Sequence, residues 1–381
     1  MKSSLNLIFY ITDYGYGHAT RSIALIRELL RPKYNISQIT ICSGKVLPFI
    51  KRSLQYDQRI NFREQALDLG YVHESGSIDL SSSLLQERYV YYHYSFSSMV
   101  SMERAFLALQ KPDMVLSDIS PIPFLAASQL NVISVGISNF TWYTAYEEAL
   151  TPELIQLLEQ CYRCMDYFVR LPGGKTEPDW GVRGGIVADF YCRRVDSTEM
   201  KRIRSQLDPF KNKTIIFFAI GMGVDLSDIS KMKLLKHEKF VFIVSCNMEI
   251  SGQNIFNIEK NYTETQNFVA ASDIVVTKPG WSTISEAVVS HKPLVLLERG
   301  NIPEDRRNIT AAWHATKTVT IQWDELRDME DPNFFEGMII SCDSENDEIE
   351  NHKSFYSEDR RSGVNVIAEF IESLLDFRIT T

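Results

Sequence analysis

Short, nearly unbroken apolar runs alternate along the chain with stretches that repeat their apolar positions every three to four residues. LNLIFYI (5–11), ISQITICSG (36–44), INFREQA, MVLSD, NVISVGIS, DYFVRL, the short GGIVAD, KTIIFFAI (213–220), KFVFIVSC, SDIVVT, KPLVLL and ATKTVTI have the length and content of strands, most of them buried on both faces. ATRSIALIRELL, SMERAFLALQ, residues 151–165, DSTEMKRIRSQL, TQNFVAA and VNVIAEFIESLLDF keep helical period between them. Strands alternating with helices in this way predict an α/β fold built on parallel sheets.

The pattern starts twice. LNLIFYI delivers a glycine turn, Gly15-Tyr16-Gly17, and KTIIFFAI delivers a second, Gly221-Met222-Gly223. At 381 residues the chain exceeds one ordinary core and divides into two domains. The change to a charged helix around Arg193–Asp196 sets the predicted boundaries at 1–194 and 195–357, with a terminal helix over 358–381 able to pack back on the first domain. Two segments resist the pattern. Leu67–Ser98, dense in tyrosine, reads as irregular, its aromatics serving core packing more readily than an acceptor pocket, and the acidic run 341–358 reads as surface loop. Glu298–Asn308 reads as a polar loop entering the helix ITAAWHA.

Composition narrows the class. With 44% hydrophobic and 23% charged residues the chain is an ordinary globular protein, and a net charge of -9 opposes a nucleic-acid surface, which needs a basic face. No apolar run reaches membrane-spanning length. Six scattered cysteines, and a start that leads into a strand rather than a secretory leader, predict a reduced, cytoplasmic protein. Cys161 and Cys164 form a CxxC on a helical pattern without a second pair at zinc spacing, so they read as core and no metal site is expected. Gly174-Lys175-Thr176 matches the end of a P-loop, but Val169 occupies the position of the motif's first glycine.

The candidate chemistry gathers at strand ends. In VVTKPGWSTISEAVVSHKPLVLL (275–297) a strand runs through Gly280 into a helix, a turn whose free N–H groups suit an anion. Lys278 adds a cation, Ser282 and Thr283 add hydroxyls, and Glu286 is placed to grip ribose hydroxyls. In the first half the turn is GxGHxxR, Gly15 to Arg21, with His18 at the helix entrance. Asp118 closes the strand MVLSD. Strand ends converge in α/β domains, so Asp118 could fix the tautomer of His18 and raise its basicity; a helix-entrance histidine and a helix-capping aspartate are the plain alternatives. Asn139 follows the next strand.

The glycine loop YGYGHATR, SDISPIPFLAASQLNVISVGISNFTW and GWSTISEAVVSHKPLVLLERG, with EDRRN beyond, resemble the GT-B glycosyltransferase superfamily. They are most similar to the glycosyltransferase-like amino-terminal domain of L-arabinokinase and to free-standing bacterial and archaeal glycosyltransferase-like proteins. The resemblance covers most of the chain and implies two Rossmann-like domains whose parallel sheets face across a cleft. It implies donor contacts for Gly280, Thr283 and Glu286, with Glu304 and Asn308 matching positions that hold donor-sugar hydroxyls or phosphate. It gives His18 the loop-histidine role, with Asp118 its partner and Gly15, Gly17, Arg21 and Asn139 on the acceptor side. Lys278 stands where plant-type relatives place a histidine, and the loop around Gly221 and Gly223 carries only part of the expected glycine and serine richness.

The implied activity is transfer of a sugar, hexosyl or pentosyl, from a nucleotide-sugar, UDP-linked, to an acceptor hydroxyl, inverting and without a metal. The nucleotide-sugar is a co-substrate and no cofactor is called for. The acceptor has no assignment, and a homodimer is left open. Two rival readings are a nucleotide- or sugar-binding module without turnover, and an enzyme akin to nucleotide-sugar 2-epimerases, which would need more acid and base groups than the one pair visible here.

Overall fold

A computed structural model describes residues 5–72, 81–220, 229–245, 248, 250–299, 302–344 and 362–380. The apolar runs become β1 Leu5–Ile11, β2 Ile36–Ser43, β3 Ile60–Glu64, β4 Met114–Asp118, β5 Ile133–Ser138, β6 Tyr167–Arg170 and β7 Gly185–Val187. They form one sheet in the order β3-β2-β1-β4-β5-β6-β7. A second sheet takes β8 Thr214–Ala219, β9 Phe240–Val244, β10 Ile255–Asn257, β11 Ile274–Thr277, β12 Leu294–Leu297 and β13 Thr318–Ile321, in the order β10-β9-β8-β11-β12-β13. Every pairing is parallel. Each sheet is therefore wound outward in one direction from its first strand and then in the other. The reversal falls between β1 and β4 in one sheet and between β8 and β11 in the other, the places where open α/β sheets leave room for ligands.

The chain divides into two compact units, one of residues 1–74, 80–191 and 362–381 and one built mainly of 192–361. The division falls between Tyr191 and Cys192. The terminal helix Gly363–Thr380 packs on the helix Tyr16–Leu29, and Phe370 meets Tyr167 edge to face at 5.8 Å. Each unit has its own apolar core, with Ile8, Tyr10, Phe96 and Val115 in the first and Phe218, Phe240, Phe242 and Val276 in the second.

Three stretches differ from the sequence reading. The tyrosine-rich segment is not irregular beyond residue 81: Ser82–Gln110 is one helix of 29 residues, capped by Ser81 Oγ accepting from the Leu84 N–H at 3.4 Å. Its buried set, Leu85, Tyr89, Phe96, Val100, Glu103 and Leu107, keeps helical spacing. The period is blurred because Tyr91, Tyr94 and Leu109 stand on the exposed face while a carboxylate, Glu103, stands on the buried one. Glu304 and Asn308 lie within the helix Pro303–Trp313, which starts with proline at its first turn rather than after a loop. Residues 341–344 end the helix Asn333–Ser344, and the rest of the acidic run lies outside the described residues.

Glu103 explains how the long helix can bury a charge against the first sheet. Arg63 on β3 grips both its oxygens, at 2.6 and 2.7 Å, and Tyr10 on β1 donates to Oε2 at 2.8 Å. Replacing Glu103 with alanine leaves the Arg63 cation without its partner. Because Arg63 keeps 22% of its side chain exposed, the loss is set at the low end for broken buried pairs, about 3 kcal/mol. Urea denaturation of Glu103→Ala against wild type measures it, and an unchanged midpoint would contradict this account.

Candidate functional site

Each unit assembles a cluster at its winding reversal. In the first, Ile11 at the end of β1 lies in register with Asp118 at the end of β4. The turn after β1 passes through Gly15, whose φ of 80° falls in the left-handed region that glycine tolerates. Gly17 follows in the first helical turn, its carbonyl accepting from Thr20 Oγ1 at 2.9 Å. The helix thus begins directly above the end of β4 and turns His18 and Arg21 toward Asp118.

His18 Nδ1 lies 2.9 Å from Asp118 Oδ1. Arg21 wraps the same carboxylate, with Nε 2.7 Å from Oδ2 and Nη2 2.5 Å from Oδ1, and Ser22 Oγ donates to Oδ2 at 3.2 Å. Arg21 also donates through Nη1 to Asn139 Oδ1 at 2.7 Å and through Nη2 to Ser138 Oγ at 3.1 Å. All six side chains are buried, His18 at 7% exposure and Asp118 at 2%.

Counting protons fixes the histidine tautomer. The two N–H groups of Arg21 Nη2 are taken by Asp118 Oδ1 and Ser138 Oγ, so none remains for His18 Nδ1, which lies 2.9 Å from Nη2. Nδ1 then carries a hydrogen and donates to Asp118, and in the neutral ring the lone pair lies on Nε2. No described residue hydrogen-bonds Nε2. Burial acts to raise the Asp118 carboxyl, but the Arg21 guanidinium, then His18, outweigh it and hold it down to about 2. Asp118 is a fixed anion that orients the imidazole.

The strand end itself is bent. Ile119, next after Asp118, has φ 72°, an unfavourable conformation for a β-branched residue. Tyr162 Oη donates to the Ile119 carbonyl at 2.5 Å and accepts from the Trp142 N–H at 3.1 Å, while Ser117 Oγ donates to the Ser120 carbonyl at 2.8 Å. These bonds hold the turn that aims Asp118. Phe140 packs edge-on to His18 at 5.8 Å and continues through Trp142, Tyr71 and Tyr14, an aromatic wall beside the imidazole. Asp68 accepts from Trp142 Nε1 at 3.2 Å and from Ser120 Oγ at 2.7 Å.

In the second unit the cluster follows β11. Lys278 and Gly280 make the turn, with the Gly280 N–H on the Lys278 carbonyl at 2.7 Å, and the helix Trp281–Val289 begins there. Gly280 has an ordinary φ of -78°, and a Cβ added to it would meet only Lys278 Cε at 3.8 Å. The chain's own packing therefore does not demand glycine at this turn. Ser282 and Thr283 are half-buried in the first helical turn, and Glu286 is buried one turn on.

The Lys278 ammonium makes no hydrogen bond or ion pair with any described residue. Burial pushes its pKa down, as does Arg299, against the pull of Glu304 and Asp305. Arg299 is itself held by Asp305 through two bonds, at 2.8 and 2.7 Å. Asn308 is buried and staples the turn, donating to the Pro279 carbonyl at 2.9 Å and to Glu304 Oε1 at 3.3 Å. Gly221 and Gly223 lie outside the described residues.

Glu286 has a partner that the sequence reading missed. Arg193 Nη2 donates to Glu286 Oε1 at 3.0 Å, with Arg193 fully enclosed and Glu286 6% exposed. Burial pushes the Glu286 carboxyl up despite the opposing Arg193. The only sequence signal was an arginine pair in YCRRVD at the predicted junction, a context that reads as solvated linker.

Comparisons with known proteins give the fold a family setting. No family model matches the chain. It is 26% identical over 317 residues to L-arabinokinase of Arabidopsis thaliana, covering 80% of this chain and 29% of that protein. It is 24% identical over 221 residues to the processive diacylglycerol beta-glucosyltransferase of Staphylococcus carnosus (strain TM300), covering 55% of this chain and 54% of that one. Among solved structures, the glycotransferase of kitacinnamycin superposes with TM-score 0.64 at 14% identity, covering 97% of this chain and 98% of the other. UGT89C1 of Arabidopsis thaliana, complexed with UDP, superposes with TM-score 0.60 at 13% identity, covering 97% and 99%. The chain has the two-sheet fold of these glycosyltransferase structures. It thus spans about a third and about half of the two curated relatives, so their activities do not transfer whole. Among its described residues, no helix is long and apolar enough to cross a membrane.

The clamped carboxylate makes a pH prediction. A carboxyl held below its usual range contributes stability above the unfolded value, and the contribution is lost as pH falls through the folded one. For Asp118, the step from the ordinary 3.8 to about 2 corresponds to about 2 kcal/mol. Wild-type stability is expected to fall between pH 4 and 2 in acid titrations followed by circular dichroism, and Asp118→Asn to be less stable at pH 7 and flatter across that window. A variant with the wild-type acid profile would show that the clamp does not depress Asp118.

Proposed function

We propose that this glycosyltransferase-like protein transfers a sugar from a UDP-linked nucleotide-sugar to an acceptor hydroxyl. The observation that carries the reading is His18 Nδ1 at 2.9 Å from a carboxylate that Arg21 grips by both oxygens. A lone pair on Nε2, with Nδ1–H held by an ionised carboxylate, is what a general base for an acceptor hydroxyl requires. The imidazolium formed by proton transfer would be stabilised by Asp118, which already bears a full negative charge.

The second unit supplies the donor chemistry in this reading. Positive charge at the turn after β11, from the Lys278 ammonium and the first-turn N–H groups, suits the growing charge on a leaving diphosphate. An anion arriving beside Lys278 would offset the burial that now disfavours its cation. Glu286 would accept from ribose hydroxyls. The bound UDP of UGT89C1 supports a UDP donor here by likeness of fold. Among the described residues a single carboxylate, Asp118, bonds His18, which favours direct displacement with inversion, and Lys278 with the helix end gives charge compensation that needs no metal. The reading places the protein in the cytoplasm, where nucleotide-sugars are at hand.

One observation favours the rival, a binding module without turnover: Asp118 and Glu286 are both already engaged by arginines. Turnover separates the two. UDP release from a panel of UDP-sugars, offered with polyol, phenolic and diacylglycerol acceptors, should fall about 10²–10⁴-fold in His18→Ala, with UDP affinity unchanged. Full activity in the variant would remove His18 as the base, and UDP binding without any release by wild type would establish the module.

A further inference from the structure

Arg193 is the most enclosed charged side chain of the second unit that the proposed mechanism leaves unused. Its guanidinium is anchored independently of Glu286. Nη1 donates to the Thr263 carbonyl, and Nη2 donates to Thr265 Oγ1 at 2.9 Å. The backbone on both sides is tied down as well: Gln266 Nε2 donates to the Arg194 carbonyl at 3.2 Å, and the Asp196 N–H donates to Asn267 Oδ1 at 2.8 Å. Glu286, in contrast, has a single carboxylate contact among the described residues, Oε1 with Arg193 at 3.0 Å. The arginine is fixed by its frame, and the glutamate is fixed by the arginine.

We infer that Arg193 is the positioning residue for ribose recognition, holding Glu286 Oε1 so that Oε2 is presented as an ionised acceptor to the ribose hydroxyls of a nucleoside diphosphate. The inference rests on the reading of Glu286 as the donor-ribose residue and deepens it. Two physical effects of the arginine combine. A guanidinium at 3.0 Å opposes the burial that would otherwise favour a protonated carboxyl, and a bond to one oxygen removes rotamer freedom from the other. A buried arginine whose Nε–H has no partner among the described residues is costly to keep. Orientation of Glu286 accounts for it where packing alone does not.

The experiment measures how strongly ribose hydroxyls are felt, by calorimetric titration of the full chain with UDP, uridine and 2′,3′-dideoxy-UDP at pH 7. Removing both hydroxyls should weaken wild-type binding about tenfold to a hundredfold, the range for hydrogen bonds to a charged group. In Glu286→Gln and in Arg193→Gln that ratio should fall to about threefold or less, while the UDP-to-uridine ratio, which reads the phosphates, stays at its wild-type value. Arg193→Lys should restore part of the ribose ratio. Thr265→Val keeps the charge pair and removes one anchor of the guanidinium, so it reports even if Arg193→Gln does not fold, and its ribose ratio should lie between the two. A wild-type ribose ratio in folded Arg193→Gln, or in Thr265→Val, would overturn the inference and leave the donor reading standing. Failure of wild type to bind UDP would overturn both.

Discussion

Right-handed crossovers, applied to a strand order that reverses once in each sheet, decide where this protein can hold a ligand. Helices leaving β1 and β4 depart to opposite faces of the first sheet, so their connections diverge and expose the carboxyl ends of those two strands. The same geometry applies between β8 and β11. His18 enters after β1, Asp118 ends β4, and Lys278 and Gly280 follow β11. Each lies where the winding, not a local signal, opens the edge of a sheet. The parallel register of Ile11 with Asp118 then sets the height at which the first helical turn meets the carboxylate.

Two buried carboxylates paired to arginines show how the number of contacts decides the direction in which a carboxyl's pKa moves. Asp118 receives four donors, from Arg21 twice, His18 and Ser22, and its carboxyl is held at about 2 in spite of burial. Glu286 receives one donor, from Arg193, and burial wins: its carboxyl is raised. Saturation of all acceptor positions makes Asp118 a permanent anion. A single bond leaves Glu286 dependent on what else approaches, a ligand hydroxyl included. A site for a catalytic base benefits from the first arrangement and a site for reversible binding from the second.

The sequence showed the sheets well because strands buried on both faces are written as unbroken apolar runs, and all but β10, a strand of three residues, could be located in this way. Glycine turns marked the ends of β1, β8 and β11. What stayed hidden were contacts between residues distant in the chain. Arg21 was legible as part of GxGHxxR, but its grip on Asp118, 97 positions away, is a product of strand order. Arg193 and Glu286, 93 positions apart, carry no local pattern at all. Of the helix Ser82–Gln110 only the last third, SMERAFLALQ, was legible; the part before it was missed because Tyr91 and Tyr94 stand on its exposed face and blur the apolar period. Asn308 was found by motif spacing, yet its amide is bonded to the Pro279 carbonyl, so its visible part is the shaping of a turn.

Likeness to solved structures at 14% identity or below preserves the fold because the fold needs only the apolar pattern and the turn chemistry. The loops above the first sheet are not constrained by that likeness. In this chain those loops spend their largest aromatics on packing: Phe140 and Trp142 are at most 1% exposed and stack among Tyr14, Tyr71 and Tyr146. Such a wall is rigid, since moving one ring disturbs several others. It fixes Phe140 against His18, and through Trp142 it holds the Asp68 carboxylate and the strained turn at Ile119. The aromatics therefore hold His18 and the strand end that carries Asp118 still.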